Sequence, residues 1–148
     1  MRYRLEELAT IASGLGLHSI RVDEDRLDVV IHDSCRLAFC NLSAEADTLV
    51  GFDGTPWHSH GVVQFRTGNS TYAEYDELEL LTGLGTGELL VVTRCVHEEL
   101  QDRWITHCDE PLDVRDMEPG EELRVLRLSD SKLPKRSTRG AGSDSSAS

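Results

Sequence analysis

The short connections between β-prone runs constrain this chain more than any other feature of its sequence. Residues 19–22 and 27–31 are joined through the acidic stretch 23–26, and residues 36–42 follow a turn at Asp33 and Ser34. A parallel crossover needs a dozen or more residues, so connections this short allow only antiparallel neighbours, and the three runs read as a meander. The same pattern returns downstream. Residues 48–52 and 62–65 flank the stretch 51–61, and residues 71–75 read as a short strand or as the approach to a helix. Residues 88–97, centred on 89–93, form the strongest strand of the sequence. They turn through 98–101 into 102–108, and residues 121–128 alternate as a final strand after Pro119 and Gly120.

Two helices interrupt this pattern. Leu5, Leu8, Ala12 and Leu15 recur at intervals of three and four within residues 3–17, with Glu6 and Glu7 early and Gly14 and Gly16 late, which predicts an amphipathic N-terminal helix ended by glycine. Asp76 is placed as an N-cap ahead of Leu78 and Leu81, predicting one or two helical turns that Gly83, Gly85 and Gly87 terminate. The fold class expected is α+β, with the N-terminal helix packed on a mostly antiparallel sheet that has one covered face. A chain of 148 residues suits one domain, set at residues 1–129; from 130 to 148 serine, glycine, alanine, lysine and arginine take over, as in a disordered tail.

Charge narrows the function classes. The chain carries 27 acidic against 15 basic side chains, a net charge of −12, and its only lysines are Lys132 and Lys135. Such a field repels phosphate backbones and anionic headgroups and attracts basic protein surfaces, so a basic protein partner is expected, without nucleic acid or membrane. The N-terminus has no secretory h-region and no stretch has the apolar length of a membrane span, which predicts a cytoplasmic protein whose four cysteines are free thiols.

The rarest residue types gather in residues 51–61, which hold Trp57, His58 and His60 between β-prone flanks. In an extended chain His58 and His60 project to one face and could offer two nitrogens to a metal. Further pattern is missing. Where a metalloprotease of the MPN type wants an aspartate stands Thr71, and where a cupin wants a glutamate stands Gln64. Cys95 and His97 share the same spacing, and His107 and Cys108 fall on the partner strand, which would gather them near the hairpin's turn. The glycines at 83, 85 and 87 lead into a strand with no lysine and serine or threonine after them, unlike a P-loop. Acidic clusters at 23–25, 98–99 and 109–110 lack EF-hand spacing and read as solvated loops.

Trp57 to Gly61, the approach 83–92, Asp102 to Trp104 and Glu118 to Glu121 together resemble a set of small, acidic, largely uncharacterised bacterial proteins, some resembling the immunity proteins of toxin systems. That resemblance covers residues 51–128 and implies a non-enzymatic inhibitor of a basic toxin or nuclease. Trp57, Trp104, Tyr72 and Tyr75 are candidate aromatic anchors, His58 and His60 are structural or partner-facing binding candidates, and Glu98 and Glu99, or residues 23–25, are the loops expected to steer its approach. No catalytic residue, metal ligand or cofactor is assigned. The alternative is a small metal-dependent enzyme using His58 and His60, with Cys95, His97 or His107 as further ligands.

Overall fold

The computed structural model describes residues 1–42, 47–68, 70–115 and 117–131. Helix α1 (Leu5–Gly14) is followed by five strands, β1 (His18–Asp23), β2 (Arg26–His32), β3 (Cys35–Leu42), β4 (Asp47–Phe52) and β5 (His58–Ser59). These form one antiparallel sheet in chain order, so the expected meander of β1 to β3 is present and extends by two strands. Strands β6 (Val63–Arg66) and β7 (Tyr72–Tyr75) make a separate hairpin, helix α2 spans Glu77–Thr86, and β8 (Leu89–Val96), β9 (Glu99–His107) and β10 (Glu121–Leu126) form a second antiparallel sheet with β8 in the centre. Helix α3 (Leu128–Ser131) closes the described part.

Period-two burial explains how the sheets meet. Leu27, Val29 and Ile31 of β2, Leu37 and Phe39 of β3, and Val50 and Phe52 of β4 point to one face. They join Leu8 and Ala12 of α1, Leu80, Leu81 and Leu84 of α2, and Leu89, Val91 and Ile105 of the three-stranded sheet in one core. Each fully buried leucine of this set contributes about 1.5–3 kcal/mol relative to exposure. Buried polar groups then fix the N-terminus. The Asn41 side chain accepts from Tyr3 N–H at 2.7 Å and donates to Tyr3 O at 3.2 Å, imitating a strand neighbour. Glu77, 2 % exposed, accepts from Arg4 N–H at 2.8 Å and from Arg4 Nε at 3.0 Å, tying the chain ahead of α1 to the first turn of α2.

Several expectations need correction. The stretch expected only to connect two strands contributes one of its own, since β5 pairs with β4, and β6 pairs with β7. Helix α2 begins as expected, with Asp76 Oδ1 accepting from Glu79 N–H at 2.8 Å and Glu79 returning the bond to Asp76 N–H at 2.9 Å. It then runs for ten residues, through Gly83 and Gly85, and ends only at Gly87, whose φ of 88° is the left-handed C-cap conformation. The two interior glycines serve packing, not termination: a Cβ at Gly83 would stand 3.0 Å from Leu89 Cδ1, and one at Gly85 2.5 Å from Leu15 Cδ2. The final strand stops at Leu126, because Leu128, 2 % exposed, turns inward as the first residue of α3. Asp130 and Ser131, placed in the expected tail, belong to that helix; the remainder of the tail lies outside the described residues. Among the described residues no helix is long and apolar enough to cross a membrane.

Candidate binding groove

The three-stranded sheet turns its other face away from the helices, and there the even-numbered residues of β8 align with their partners. Val92 lies between Trp104 of β9 and Val125 of β10, Arg94 pairs with Leu123, and Val96 with Glu121. Val92 is fully buried although it lies outside the main core, so this face is covered. Residues 110–113 and Met117 stand over it. Between sheet and segment is a cavity of about 430 Å³ with Trp104, Thr106 and Leu123 on the sheet side. Pro111, Leu112 and Met117 line the segment side, and Glu110 and Asp113 add carboxylates.

Charge within the groove is unevenly satisfied. Arg94 Nε donates to Glu121 Oε2 at 2.6 Å, and Glu121 Oε1 accepts from Glu118 N–H at 3.0 Å. Those two bonds, the backbone one foremost, hold the Glu121 carboxyl below its ordinary value, and the same pair raises the Arg94 guanidinium. The groove's cation is thus neutralised internally. Asp113 is held down by Arg115, which donates at 3.1 Å from Nε and Nη2 and from its backbone N–H. What remains facing a ligand is an indole, an apolar floor and the Glu110 carboxylate.

Of the residues singled out from sequence, Trp104 alone lines this cavity. Trp57 is half-buried, packs against Phe52 with ring centroids 5.9 Å apart, and donates its backbone N–H to Asp102 Oδ1 of β9 at 3.2 Å. Tyr72 is 60 % exposed on the β6–β7 hairpin. Tyr75 lies in the core against Phe65, its hydroxyl pushed up to about 12 by burial and by Glu88. Glu98 and Glu99 sit at the β8–β9 turn, which is tighter than expected: His97 and Glu98 both take positive φ, 52° and 70°, and β9 starts at Glu99. Two left-handed residues in a two-residue hairpin turn match the right-handed twist of the strands, at a cost that glycine would avoid. His97 N–H donates to Gly120 O at 2.8 Å, and a Cβ on Gly120 would collide with the His97 ring, so this turn docks on the one that opens β10.

That turn also separates the residues expected to cluster. His107 pairs with Leu89 while Cys95 pairs with Leu100, which puts Cys95 and His97 at the opposite end of the hairpin from His107 and Cys108. A nucleophilic Cys/His pair across the hairpin is therefore not formed. Burial pushes the Cys35 thiol up to about 11 and raises Cys40, whereas Cys108, expected inside a strand, lies exposed just beyond β9. His58 and His60 do meet, edge to face with centroids 5.3 Å apart. Nδ1 of His58 faces Pro56 O at 3.1 Å, and Nδ1 of His60 faces Thr48 O with Asp47 Oδ2 at 3.3 Å. A carbonyl only accepts, so both rings carry their proton on Nδ1 when neutral and present Nε2. Among the described residues the set of three possible metal donors within 4.8 Å of one another is elsewhere, at His107, Cys108 and Asp109.

Sequence reasoning missed Arg94, Glu110, Asp113, Met117 and Glu121 as groove residues. The available signal was Pro111, Leu112 and Met117 scattered through an otherwise polar stretch, too sparse to predict burial. No protein-family model matches the chain, and neither a curated protein nor a solved structure matches it.

Proposed function

We propose that the protein is a non-enzymatic acidic binding protein, an immunity-type inhibitor of a basic toxin or nuclease, whose groove seats a lysine or arginine side chain of that partner. The observation that carries this reading is the groove itself: Trp104 beside an apolar floor, with Glu110 at hand, Arg94 already occupied by Glu121 and Asp113 by Arg115. A cation entering it meets an indole face, an interaction of about 0.5–2 kcal/mol depending on desolvation, while its methylenes cover Leu112 and Leu123. An anion would meet the Glu110 carboxylate. The net charge of −12 favours the same partner at longer range, since opposite fields speed encounter. Trp57, His58 and His60 on β5 and its approach, with Glu98 and Glu99 at the β8–β9 turn, supply further contact surface in this reading.

Products of the reading frames adjacent to the gene, purified one by one, provide the test. Association with the true partner slows as salt rises, because screening cuts the reach of the two fields to about 8 Å at physiological ionic strength. Trp104→Ala speeds dissociation, in the range of the more than 1 kcal/mol that marks an anchoring residue. A complex whose on-rate ignores salt, or whose lifetime ignores Trp104, would sink the proposal.

A further inference from the structure

We propose that His107, Cys108 and Asp109 form a binding site for a divalent transition-metal ion of the zinc class, built on the turn that leaves β9. The three side chains bring a nitrogen, a sulfur and a carboxylate to one place. Cys108 Sγ is 4.0 Å from His107 Nδ1 and 3.8 Å from Asp109 Oδ1, and Asp109 Oδ2 is 3.9 Å from His107 Nδ1. With a single carboxylate oxygen as the third corner, the donor atoms lie within 4.8 Å of one another, so an ion among them stands at most about 2.5 Å from each and the side chains close in by a few tenths of an ångström to reach Zn–S, Zn–N and Zn–O distances. Imidazole, thiolate and carboxylate together suit zinc better than a hard cation such as magnesium or calcium.

Their surroundings set the tautomer and the orientation of the His107 ring. Asp109 N–H donates to His107 Nδ1 at 3.1 Å, so Nδ1 carries the lone pair and the proton resides on Nε2, the tautomer an Nδ1 ligand requires. The ring is 7 % exposed and stacks toward Tyr75 with centroids 6.5 Å apart, which fixes its orientation. Backbone bonds close the turn on both sides, from Cys108 N–H to Glu88 O at 2.9 Å and from Glu110 N–H to His107 O at 3.0 Å. On binding, the ion takes the place of the Asp109 N–H at the Nδ1 lone pair, the S–M bond replaces the S–H bond, and the thiol proton leaves to solvent. Asp109 also lines a cavity of about 560 Å³ with Arg66, Thr67 and Gly68, leaving room for water at a fourth position.

This site differs from the His58 and His60 pair in offering three kinds of donor at one centre. Its place in the fold gives it a consequence: the ligands precede Glu110, the first residue of the segment that walls the groove, so a bound ion pins the base of that segment. The inference stands whether or not the groove takes a basic partner.

Full-length protein without an affinity tag, stripped with chelator, is titrated with Co²⁺ and then back-titrated with Zn²⁺. The expected result is one equivalent of Co²⁺ with a near-ultraviolet thiolate-to-metal band that Zn²⁺ abolishes. Cys108→Ser, at an exposed position, removes the band without changing the metal-free melting curve. Asp109→Asn weakens Zn²⁺ by more than ~10-fold, the smaller end of what losing an outer-shell partner costs a metal site. The double variant His58→Ala/His60→Ala leaves both unchanged. A wild-type titration without the thiolate band, a band that survives Cys108→Ser, Zn²⁺ affinity untouched by Asp109→Asn, or binding lost with the histidine pair would each overturn the assignment.

Discussion

The two sheets carry the same device on the faces turned from the core, an arginine held by a carboxylate, with opposite outcomes. On the five-stranded sheet, Asp28 accepts from Arg26 Nε at 2.7 Å and Nη2 at 3.1 Å, has Arg36 at 3.7 Å, and leaves its side chain only 4 % exposed. Its cross-strand neighbours are Ala38 and then Gly51, on which the backbone of Trp57 rests so closely that a Cβ would stand 2.8 Å from Trp57 O. On the three-stranded sheet the Arg94–Glu121 pair is equally short, but its neighbours are Trp104 and Leu123, and a covering segment stands off far enough to leave a cavity. Charge pairing alone does not make a site. The small residues of the first face let the chain close down on it, whereas the bulky residues of the second hold the chain away.

The largest effect expected from this contrast concerns stability. Phe39→Ala, in the fully buried core of the five-stranded sheet, lowers the unfolding free energy by about 3–5 kcal/mol, while Trp104→Ala, half-buried at the groove, costs much less. Urea denaturation of both variants decides it; equal losses would mean that the groove face is core. Next, Asp28→Ala leaves Arg26 with Asp53 at 3.5 Å and Arg36 to solvent and costs about 1 kcal/mol, whereas Glu121→Gln, which keeps a polar partner for Arg94, falls below it. The reverse order would place the structurally essential pair at the groove. Gly87→Ala forces a side chain into a left-handed C-cap beside Ser129 and Arg127 and costs about 1 kcal/mol, read as a drop in melting temperature.

The smallest effect is the dependence on pH. The Glu121 carboxyl is held below its ordinary 4.5, so its contribution is complete above that value and fades as pH falls through the folded-state value. Glu121→Gln therefore flattens the acid limb of the stability profile below about pH 4.5 and leaves the neutral region unchanged in shape. An acid limb identical in the two proteins would show that the Arg94–Glu121 pair is not coupled to folding.

Much of the fold was legible because its causes are local. The turn at Asp33 and Ser34, the Asp76 N-cap and the three-and-four spacing of Leu5, Leu8 and Ala12 each act within a few residues. The aromatic at the groove was legible as a residue type: Trp104 stood out as one of two tryptophans. Its surroundings did not stand out, because Arg94, Leu112, Met117 and Glu121 come together only when three strands and the segment between β9 and β10 are assembled.

The sequence by itself determined the α+β class, the antiparallel pairing and the acidity, since period-two burial, connection length and charge are properties of neighbouring residues or of simple counting. Tertiary structure decided the rest. Gly83 and Gly85 looked like helix stops and are helix interior, because Leu89, Tyr75 and Leu15 occupy the space their Cβ atoms would need. Cys95 and His107 looked like neighbours and stand at opposite ends of a hairpin, because a tight turn at His97 and Glu98 sets the register. In each case the deciding atoms belong to residues of other elements packed against the position, or to one backbone turn whose φ angles composition did not foretell.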